Sequence, residues 1–538
     1  MENNKWENYH YWSFKNKYSP RPEQIKIIDE IREAMEMGFK NIILEAGTGI
    51  GKSAIATTIA NMVNDSYICT MTNQLQSQYL DDFANMLTEI KGRSNYTCNY
   101  GGYCDNCQME IENESKCSDC EYIWALRHAL ESTNIITNYD YLFYAGAYAG
   151  LFQTRDLLIL DETHNFEKKI MNLVSTTLNR KTIIKKYGFD IFEPIRKGAT
   201  LKSINSYGYW VNILEKLISA VKSRFPRNEK EAKQNERLVK RYGLLINQLT
   251  NDKWVIDLPT KKEILADSDY NTGLKVEFKP IMIKDYTETL LQFGSTRLFL
   301  TGTLGDKNKF CNWIGIDPTE TYYIYQKSPF PVEHRPILKE YIKSMSGFNP
   351  NRVPKWKDNK VLDKIKEIIS KHMFEKGVIH TSSNQQAWWI KKSLNNRNIW
   401  VAQGASREET INRFEKTNRP VILIGAGIKD GVDFKGDKCR YQILFKMPFP
   451  SLASTQINIR KHYDKVWYAY QTIMPLMQAY GRGIRDMSDY CTTYVLDKDF
   501  DRLVRDYNYL FNEYFLEAIQ GYVKPRPLSR PVKAKGGK

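Results

Sequence analysis

The sequence has no uninterrupted apolar run that approaches the ~18 residues of a membrane-spanning helix. Its first residues, Met1 to Lys5, also lack the apolar stretch of a secretory signal peptide. We therefore expect a cytoplasmic protein that does not bind a membrane. Apolar residues make up 42% of the chain and aromatic residues 13%, which excludes a mainly disordered protein.

The length and the charge narrow the class of protein further. A chain of 538 residues is too long for one hydrophobic core, and at roughly 150 residues per domain three or four domains are expected. The chain carries 78 Lys and Arg against 62 Asp and Glu, a formal net charge of +16. This surplus favours anionic partners, of which nucleic acid is the commonest.

Cysteines are few and unevenly distributed. Of the 9 cysteines in the chain, five fall between residues 98 and 120: Cys98, Cys104, Cys107, Cys117 and Cys120. In a reducing cytosol, a dense group with two C-x-x-C pairs indicates a metal or iron–sulfur site more readily than disulfides. The two pairs, Cys104/Cys107 and Cys117/Cys120, would also suit a tetrahedral Zn²⁺. Spacing alone leaves the type of metal open.

Short apolar runs that end in small polar residues alternate with helical segments along most of the chain. The predicted strands are residues 41–44, 67–70, 157–160, 297–300, 377–380 and 421–424. A helix is predicted from Pro22 to the glycine at position 38. This alternation indicates parallel α/β sheets with a site at the carboxyl ends of their strands.

One segment after the first predicted strand fits a phosphate-binding loop with alanine in place of the first glycine: Ala46, Gly47, Thr48, Gly49, Ile50, Gly51, Lys52 and Ser53. A helical segment follows it, as such a loop requires. Lys52 would reach the β- and γ-phosphates of a nucleotide, and the Ser53 hydroxyl would ligate Mg²⁺. The alternative is a glycine-rich turn that ends in Lys-Ser by chance.

Two further groups fit the chemistry of nucleotide hydrolysis. Asp161 and Glu162 close the strand 157–160, where Asp161 would hold Mg²⁺ and Glu162 would polarise the attacking water. Near the C-terminus, Arg482 and Arg485 are three residues apart and are predicted to share one helical face. Arginine is suited to stabilising the transition-state charge on a γ-phosphate.

From about Arg21 to Asp499, the order of these motifs resembles the DinG/XPD iron–sulfur branch of superfamily 2 helicases. Arg21 and Gln24 are similar to the family's adenine-side element, and the phosphate loop matches its motif I. The remaining resembling segments are 70–75, 91–98, 161–165, 301–304, 427–434 and 478–485. The last of these begins at Gln478 and matches Q-x-x-G-R-x-I-R closely.

The resemblance implies an α/β fold with two RecA-like parallel-sheet motor domains. It also implies two insertions in the first motor, a cysteine-rich cluster domain and a mainly helical arch domain. The expected ranges are motor 1 at 1–95, 126–167 and 281–310, the cluster domain at 96–125, the arch at 168–280, motor 2 at 311–523 and a flexible basic tail at 524–538.

The activity implied by the resemblance is an ATP-dependent 5′→3′ DNA helicase that acts, as a monomer, on single-stranded and forked DNA. RNA stays an alternative substrate because motor contacts go mostly to the backbone. The alternative functions are a DNA-stimulated ATPase or translocase without processive unwinding, and a nucleic-acid-binding scaffold with an inactive nucleotide site. Gln478, Arg482 and Arg485 would act at the γ-phosphate, and Asp433 would contribute to the nucleotide site.

The family also implies ligands for a [4Fe–4S] cluster. By resemblance these are Cys98, Cys104, Cys107 and Cys120, with Cys117 as a possible substitute; Zn²⁺ is the alternative occupant. Aromatic residues are abundant around and after the cysteines, namely Tyr96, Tyr100, Tyr103, Tyr122, Trp124, Tyr139, Tyr141, Phe143, Tyr144 and Tyr148. One or two of them are expected to stack on unpaired bases.

Overall fold

The computed structural model describes residues 20–47, 49–98, 103–104, 120–226, 229–249, 253–267, 273–428, 434, 436–484 and 487–522. The chain divides into two compact units. The first unit comprises Met1–Gln326 and Phe449–Met474, and the second comprises Lys327–Pro448 and Pro475–Lys538. Among the described residues, no helix is both long and apolar enough to cross a membrane.

The strands of the first unit are β1 (Asn41–Ala46), β2 (Ser66–Thr70), β3 (Thr88–Glu89), β4 (Asn134–Asn138), β5 (Arg155–Leu160), β6 (Thr176–Asn179), β7 (Trp254–Asp257), β8 (Lys275–Pro280), β9 (Gly294–Thr301) and β10 (Thr321–Gln326). Within the described residues, seven of these form one parallel sheet, in the order β10-β1-β9-β5-β2-β4-β3. This is the RecA-like arrangement expected of a motor domain.

The strands of the second unit are β11 (Ile337–Lys343), β12 (Gly377–Thr381), β13 (Ile399–Val401), β14 (Ile422–Ala426), β15 (Tyr441–Leu444) and β16 (Thr492–Asp497). In the part of this unit that the structure describes, all six pair in parallel in the order β11-β16-β15-β12-β14-β13. The chain therefore contains two parallel-sheet α/β units, as predicted.

Helices of eight or more residues are α1 (Pro22–Glu36), α2 (Lys52–Ala60), α3 (Asn73–Phe83), α4 (Glu121–Glu131), α5 (Phe166–Val174), α6 (Arg180–Tyr187), α7 (Tyr207–Lys222), α8 (Glu229–Leu249), α9 (Lys307–Ile314), α10 (Asn359–Lys371), α11 (Asn384–Leu394), α12 (Arg407–Lys416), α13 (Thr455–Tyr463), α14 (Lys465–Tyr480) and α15 (Asp499–Tyr507). A π-helix spans Leu142–Tyr148. Shorter helices are Tyr139–Tyr141, Glu193–Arg196, Leu201–Ile204, Lys261–Ala266, Glu288–Leu291 and Glu513–Leu516.

Packing on both sides of the first sheet explains its burial. All six residues of β1 are buried, which is why this strand appears in the sequence as a continuous apolar run. Helices α1, α2 and α3 contribute to one hydrophobic core, which includes Ile28, Ile55 and Phe83. The π-helix, α5 and α9 contribute to another, which includes Phe143, Phe166 and Phe310. The sheet is therefore shielded on both faces, and its functional groups lie at the strand ends.

The insertion after residue 168 combines helices, which were predicted, with an antiparallel sheet, which was not. It contains helices α6, α7 and α8, but β6, β8 and β7 also form an antiparallel sheet that is three-stranded within the described residues. The strands and helices share one hydrophobic core with Trp210, Trp254 and Phe278. The sheet was not predicted because charge and helical periodicity dominate the segment and hide three short strands of four to six residues.

The two units divide at a different place from the predicted boundary between residues 310 and 311. The units divide after Gln326, because β10 hydrogen bonds in parallel to β1 of the first sheet. A second departure is that residues 449–474 belong to the first unit although they were expected in motor 2. The aromatic sequence of β10, Thr-Tyr-Tyr-Ile-Tyr-Gln, lacks the apolar run that revealed the other strands.

Candidate nucleotide site and cysteine segment

The phosphate-binding loop joins the end of β1 to the start of α2. Gly49 and Gly51 have φ angles of 90° and 87°, in the left-handed region that favours glycine. The Lys52 ammonium donates to the Ala46 carbonyl at 3.1 Å, so it lies across the mouth of the loop. A Cβ on Gly302 would be 3.7 Å from this ammonium, which places the Thr-Gly-Thr segment after β9 beside the same lysine.

Arg21 and Gln24 support this loop from behind. The Arg21 guanidinium and the Gln24 amide both donate to the carbonyl of Ile50, at 2.6 and 2.8 Å. A Cβ on Gly51 would come within 2.4 Å of the Gln24 amide nitrogen, so the contact needs glycine. The pair therefore fixes the backbone from which the loop N–H groups project.

Asp161 and Glu162 lie directly beyond the carboxyl end of β5, at the same sheet edge as the loop. Asp161 is 6% exposed, and its carboxylate accepts from the Tyr79 hydroxyl at 3.1 Å and from the Glu162 N–H at 2.8 Å. Burial raises the pKa of the Tyr79 hydroxyl, and the nearby Ser53 hydroxyl opposes that rise. Burial, followed by the charge of Glu162, raises the pKa of Asp161 to about 6, and the Lys52 charge opposes that rise.

Glu162 has a backbone conformation that glutamate rarely adopts, with φ 53° and ψ 43°. A residue held there costs about 1–3 kcal/mol, and such strain is concentrated at functional sites. His164 connects the pair to the end of β9, since its Nδ1 lies 3.2 Å from the Glu162 carboxylate and 3.3 Å from the Thr301 hydroxyl. The Asn165 amide contacts the other ring nitrogen of His164 at 2.8 Å.

Sequence reasoning missed Tyr79, which lies on α3 between Ser53 and Asp161. Its buried side chain resembles any core tyrosine in the sequence, so no local pattern could have revealed its role. The contact between Gly302 and Lys52 was also missed, although the Thr301-Gly302-Thr303 motif itself was recognised. Both contacts join parts of the chain that are far apart in sequence.

The second unit carries the segment that begins at Gln478. Helix α14 ends at Tyr480, so the prediction that Arg482 lies on a helical face is wrong; Gly481 and Gly483 flank it in a turn. Gln478 and Arg482 are both half-buried. Asp433 and Arg485 lie outside the described residues, as does Thr48 of the phosphate loop.

The cysteine segment is described only in part. The Cys104 and Cys120 thiols are 3.9 Å apart, and Cys98 and Cys120 pack against the hydrophobic core that contains Cys104. Burial, followed by the neighbouring Cys120, raises the pKa of the Cys104 thiol to about 11. Cys107 and Cys117 lie outside the described residues. Among the cysteines and other potential ligands that are described, no group of three or more is arranged to hold a metal ion.

Taken with the two parallel sheets, the loop and the acidic pair define a RecA-like motor protein. Two family models match the chain, the Helicase C-terminal domain over residues 360–515 and the Type III restriction enzyme, res subunit, over residues 17–187. Together with the order of the sequence motifs, these matches make the chain similar to helicases of the XPD/DinG type.

Individual relatives are similar to the chain over most of its length. The ATP-dependent DNA helicase YoaA of Haemophilus influenzae is 20% identical, and the alignment covers 96% of each chain. A solved XPD helicase structure is 15% identical with a TM-score of 0.60, covering 91% of this chain and 98% of the other. The structure of Xpd4 from S. tokodaii is 17% identical with a TM-score of 0.55, covering 93% of this chain and 99% of the other. At these identities, the two solved structures show that the chain has a similar fold.

Proposed function

We propose that the protein is an ATP-dependent DNA helicase that moves 5′→3′ along single-stranded DNA and opens duplexes. The observation that carries the proposal is the sheet edge in the first unit, where Lys52, Ser53 and Asp161 meet. The full-length similarity to a protein named as a DNA helicase supports the activity, and the net charge of +16 supports an anionic substrate.

Each side chain of the nucleotide site has a proposed role in ATP binding or hydrolysis. The loop N–H groups and Lys52 would hold the β- and γ-phosphates of ATP. Glu162 would orient the attacking water and accept its proton. Arg21 and Gln24 would position the loop through Ile50 and reach the adenine from the same side. Asp433 would contribute to binding of the nucleotide.

Magnesium fits the donor set that the structure presents. The Asp161 carboxylate accepts a hydrogen bond from the Tyr79 hydroxyl, and the Ser53 hydroxyl acts on the same tyrosine, so two oxygen ligands of the kind Mg²⁺ prefers lie around one side chain. The ion would neutralise charge on the β- and γ-phosphates. Arg482, Arg485 and Gln478 would sense the γ-phosphate.

We also propose that the cysteine segment holds a [4Fe–4S] cluster through Cys98, Cys104, Cys107 and Cys120, with Cys117 as the substitute. Three cysteines gathered at one hydrophobic core fit the thiolate chemistry that such a cluster needs. A tetrahedral zinc with Zn–S bonds of about 2.3 Å would set its thiolates about 3.8 Å apart, so the measured thiol separation also suits Zn²⁺.

Metal analysis distinguishes the two occupants. Protein purified without oxygen should contain about four iron atoms per chain, should be brown, and should lose its colour and part of its stability when oxidised. Colourless protein with one zinc per chain would show that the cysteines bind zinc instead of an iron–sulfur cluster. Each of Cys98→Ser and Cys104→Ser should lower the metal content, whereas Cys311→Ser, in a buried cysteine outside the segment, is the matched control.

The helicase proposal is tested with two duplexes that differ only in the polarity of one single-stranded tail. With ATP and Mg²⁺, the 5′-tailed duplex should be unwound and the 3′-tailed duplex should not. Unwinding of the 3′-tailed duplex alone would reverse the polarity. ATP hydrolysis that is stimulated by single-stranded DNA without any unwinding would indicate a translocase. A protein that binds nucleic acid but no ATP would be a scaffold.

A further inference from the structure

The structure separates the aromatic residues that follow the cysteine segment into two groups. Tyr139, Tyr141 and Phe143 are buried in the core of the first unit. Tyr144 and Tyr148, one helical turn apart on the π-helix, are 48% and 65% exposed. Their ring centroids are 5.9 Å apart with only 30° between the ring planes. Two neighbouring tyrosine rings are therefore accessible to solvent.

The exposed pair is held in a rigid setting. Phe143, which precedes the pair, packs its ring 5.5 Å from Tyr144 and 5.3 Å from Tyr148. A Cβ on Gly146 would lie 2.5 Å from the Phe293 ring, so the π-helix is pressed against the core where glycine is needed. Distortions to π-helix within helices are frequent at functional sites. The two rings are thus preorganised, and ordering them on binding costs little.

A positive charge lies beside the pair. The exposed Arg241 of α8 donates from Nε to the Thr176 hydroxyl at 3.3 Å and from Nη2 to the Ser175 carbonyl at 3.0 Å. Burial raises the pKa of both Tyr144 and Tyr148, and the Arg241 charge opposes that rise in each. The guanidinium of Arg241 is fixed by two hydrogen bonds and suits a backbone phosphate. The two exposed rings suit the bases of the same strand.

The acidic group that acts on Tyr144 is itself paired with a cation. Asp140, which also acts on Tyr144, is paired with the Lys169 ammonium at 2.6 Å. The segment that carries the tyrosines begins directly after β4, at the sheet edge of the nucleotide site, and the Tyr139 hydroxyl donates to the Asp161 carbonyl at 2.9 Å. The pair is therefore carried by an element that contacts the catalytic aspartate.

We propose that Tyr144 and Tyr148 form a stacking platform for the bases of single-stranded DNA and that Arg241 binds an adjacent phosphate. The platform rests on the proposed helicase function and names the part of the first unit that grips the strand. Stacking is tolerant of sequence because every base has a flat face. The platform therefore suits an enzyme that must move along any strand.

The test compares binding of a labelled dT20 strand with binding of an abasic strand of the same length, which keeps the phosphates and lacks the bases. Base stacking of about 1–3 kcal/mol predicts that Y144A/Y148A weakens dT20 binding by about 5- to 150-fold. Binding of the abasic strand should be unchanged. Y144F/Y148F, which keeps both rings, should bind both strands like the wild type.

Two further variants separate stacking from charge. R241Q should weaken binding of dT20 and of the abasic strand equally and should lower the salt slope by about 0.7, the loss of one phosphate contact on a single strand. Y509A is the matched control, because Tyr509 has the same exposed fraction as Tyr144, 48%, but lies in the second unit. It should leave both affinities unchanged.

The outcomes distinguish this proposal from the helicase function. If the wild type binds dT20 and its ATPase is stimulated while Y144A/Y148A binds both strands normally, the platform is wrong and the helicase function stands. If Y144A/Y148A weakens binding of both strands by the same factor, the tyrosines do not stack on bases. If the wild type binds no strand, both proposals fall. Thermal unfolding checks each variant, and Tyr148→Ala alone, at the more exposed ring, replaces the double variant if that variant unfolds.

Discussion

Asp161 and Glu162 are neighbours in sequence, but their carboxyl groups have different surroundings. Asp161 is buried under Tyr79, whereas the Glu162 side chain is 28% exposed and contacts His164. A buried oxygen ligand for Mg²⁺ and a more accessible base for water are the two functions that hydrolysis requires. The left-handed backbone of Glu162 allows adjacent residues to meet both requirements.

Replacing Glu162 by glutamine tests the assignment of the base. Glu162→Gln should bind ATP like the wild type, because the loop and Lys52 are untouched, but hydrolysis stimulated by dT20 should fall by at least about 100-fold. Nucleotide titration and phosphate release measure the two properties. Glu320→Gln, in a half-exposed carboxylate of the same unit that pairs with Lys40, is the control and should hydrolyse normally. Full turnover by Glu162→Gln would contradict the assignment.

The raised pKa of Asp161 predicts a stability that depends on pH. A carboxyl group whose pKa is about 6 when folded and 3.8 when unfolded binds protons more tightly in the folded protein between those values. Its ionisation therefore destabilises the fold as pH rises from about 4 to 6, and the penalty is constant above pH 6. Without nucleotide, Asp161→Asn should be more stable than the wild type at pH 8 by up to about 3 kcal/mol.

Unfolding measured at two pH values checks this prediction. The stability difference between Asp161→Asn and the wild type should be largest at pH 8 and should shrink towards zero near pH 4, where the wild-type carboxyl is protonated. A variant that is less stable than the wild type at pH 8 would contradict it. The same variant should lose Mg²⁺-dependent ATP hydrolysis, because the amide is a poorer magnesium ligand than a carboxylate.

At the scale of single residues, the parts of the site that could be predicted are those whose chemistry is contained in a short segment. The phosphate loop and Asp161-Glu162 are of this kind, because one run of sequence supplies both the backbone and the side chains. Tyr79 could not be predicted, since its contacts with Ser53 and Asp161 depend on how α3 packs against the sheet. The turn at Arg482 was missed because the spacing of two arginines suggested a helix.

At the scale of elements, one buried ion pair fastens α13 and α14 to the first unit. The carboxylate of Glu167, on α5, is ion-paired with the Arg460 guanidinium of α13, which is 1% exposed. It also accepts from the Trp467 indole at 2.9 Å and from the Gln471 amide at 3.2 Å. The first turns after the catalytic pair are thus packed against helices from a distant part of the sequence.

Breaking this pair should release the two helices. Glu167→Ala leaves a buried guanidinium without its carboxylate, which costs about 3–5 kcal/mol. Hydrogen exchange should accelerate in α13 and in the first turns of α14, and the thermal midpoint should fall. The double variant Glu167→Met/Arg460→Met buries no charge and should recover most of the lost stability. Unchanged exchange in Glu167→Ala would contradict this account of the packing.

The sequence predicted strands from short apolar runs and missed strands that lack such a run. The strands β1, β2, β5, β9, β12 and β14 contain buried apolar runs, whereas polar residues interrupt β4 and β15 although both are buried. Strands such as β11 and β10 lie at sheet edges and carry lysines or tyrosines, so they lack that signal. The antiparallel sheet of the insertion was lost for the same reason.

At the scale of the whole molecule, the net charge of +16 predicts how binding of DNA responds to salt. If about four phosphates are contacted, raising the salt from 50 to 200 mM should weaken dT20 binding by roughly 50-fold. ATP binding in the absence of DNA involves one small ligand and should change much less. Anisotropy and nucleotide titrations over the same salt series measure both. An affinity for dT20 that does not depend on salt would contradict an electrostatic grip on the strand.

Residues 449–474 belong to the first unit although they follow residues of the second, and this limits where the chain could be cut into separate units. Trp313 of α9 donates to the Asp464 carboxylate at 2.7 Å, and Ser454 donates to Asp257 at 2.9 Å, so the first unit is completed by chain synthesised well after its own sheet. No single cut therefore yields two intact units. A cut after Gln326 would leave the amino-terminal fragment without residues 449–474, and the carboxyl-terminal fragment would carry these residues with their packing surfaces exposed. Nascent chains emerging from the ribosome must wait for these residues before their first motor is whole.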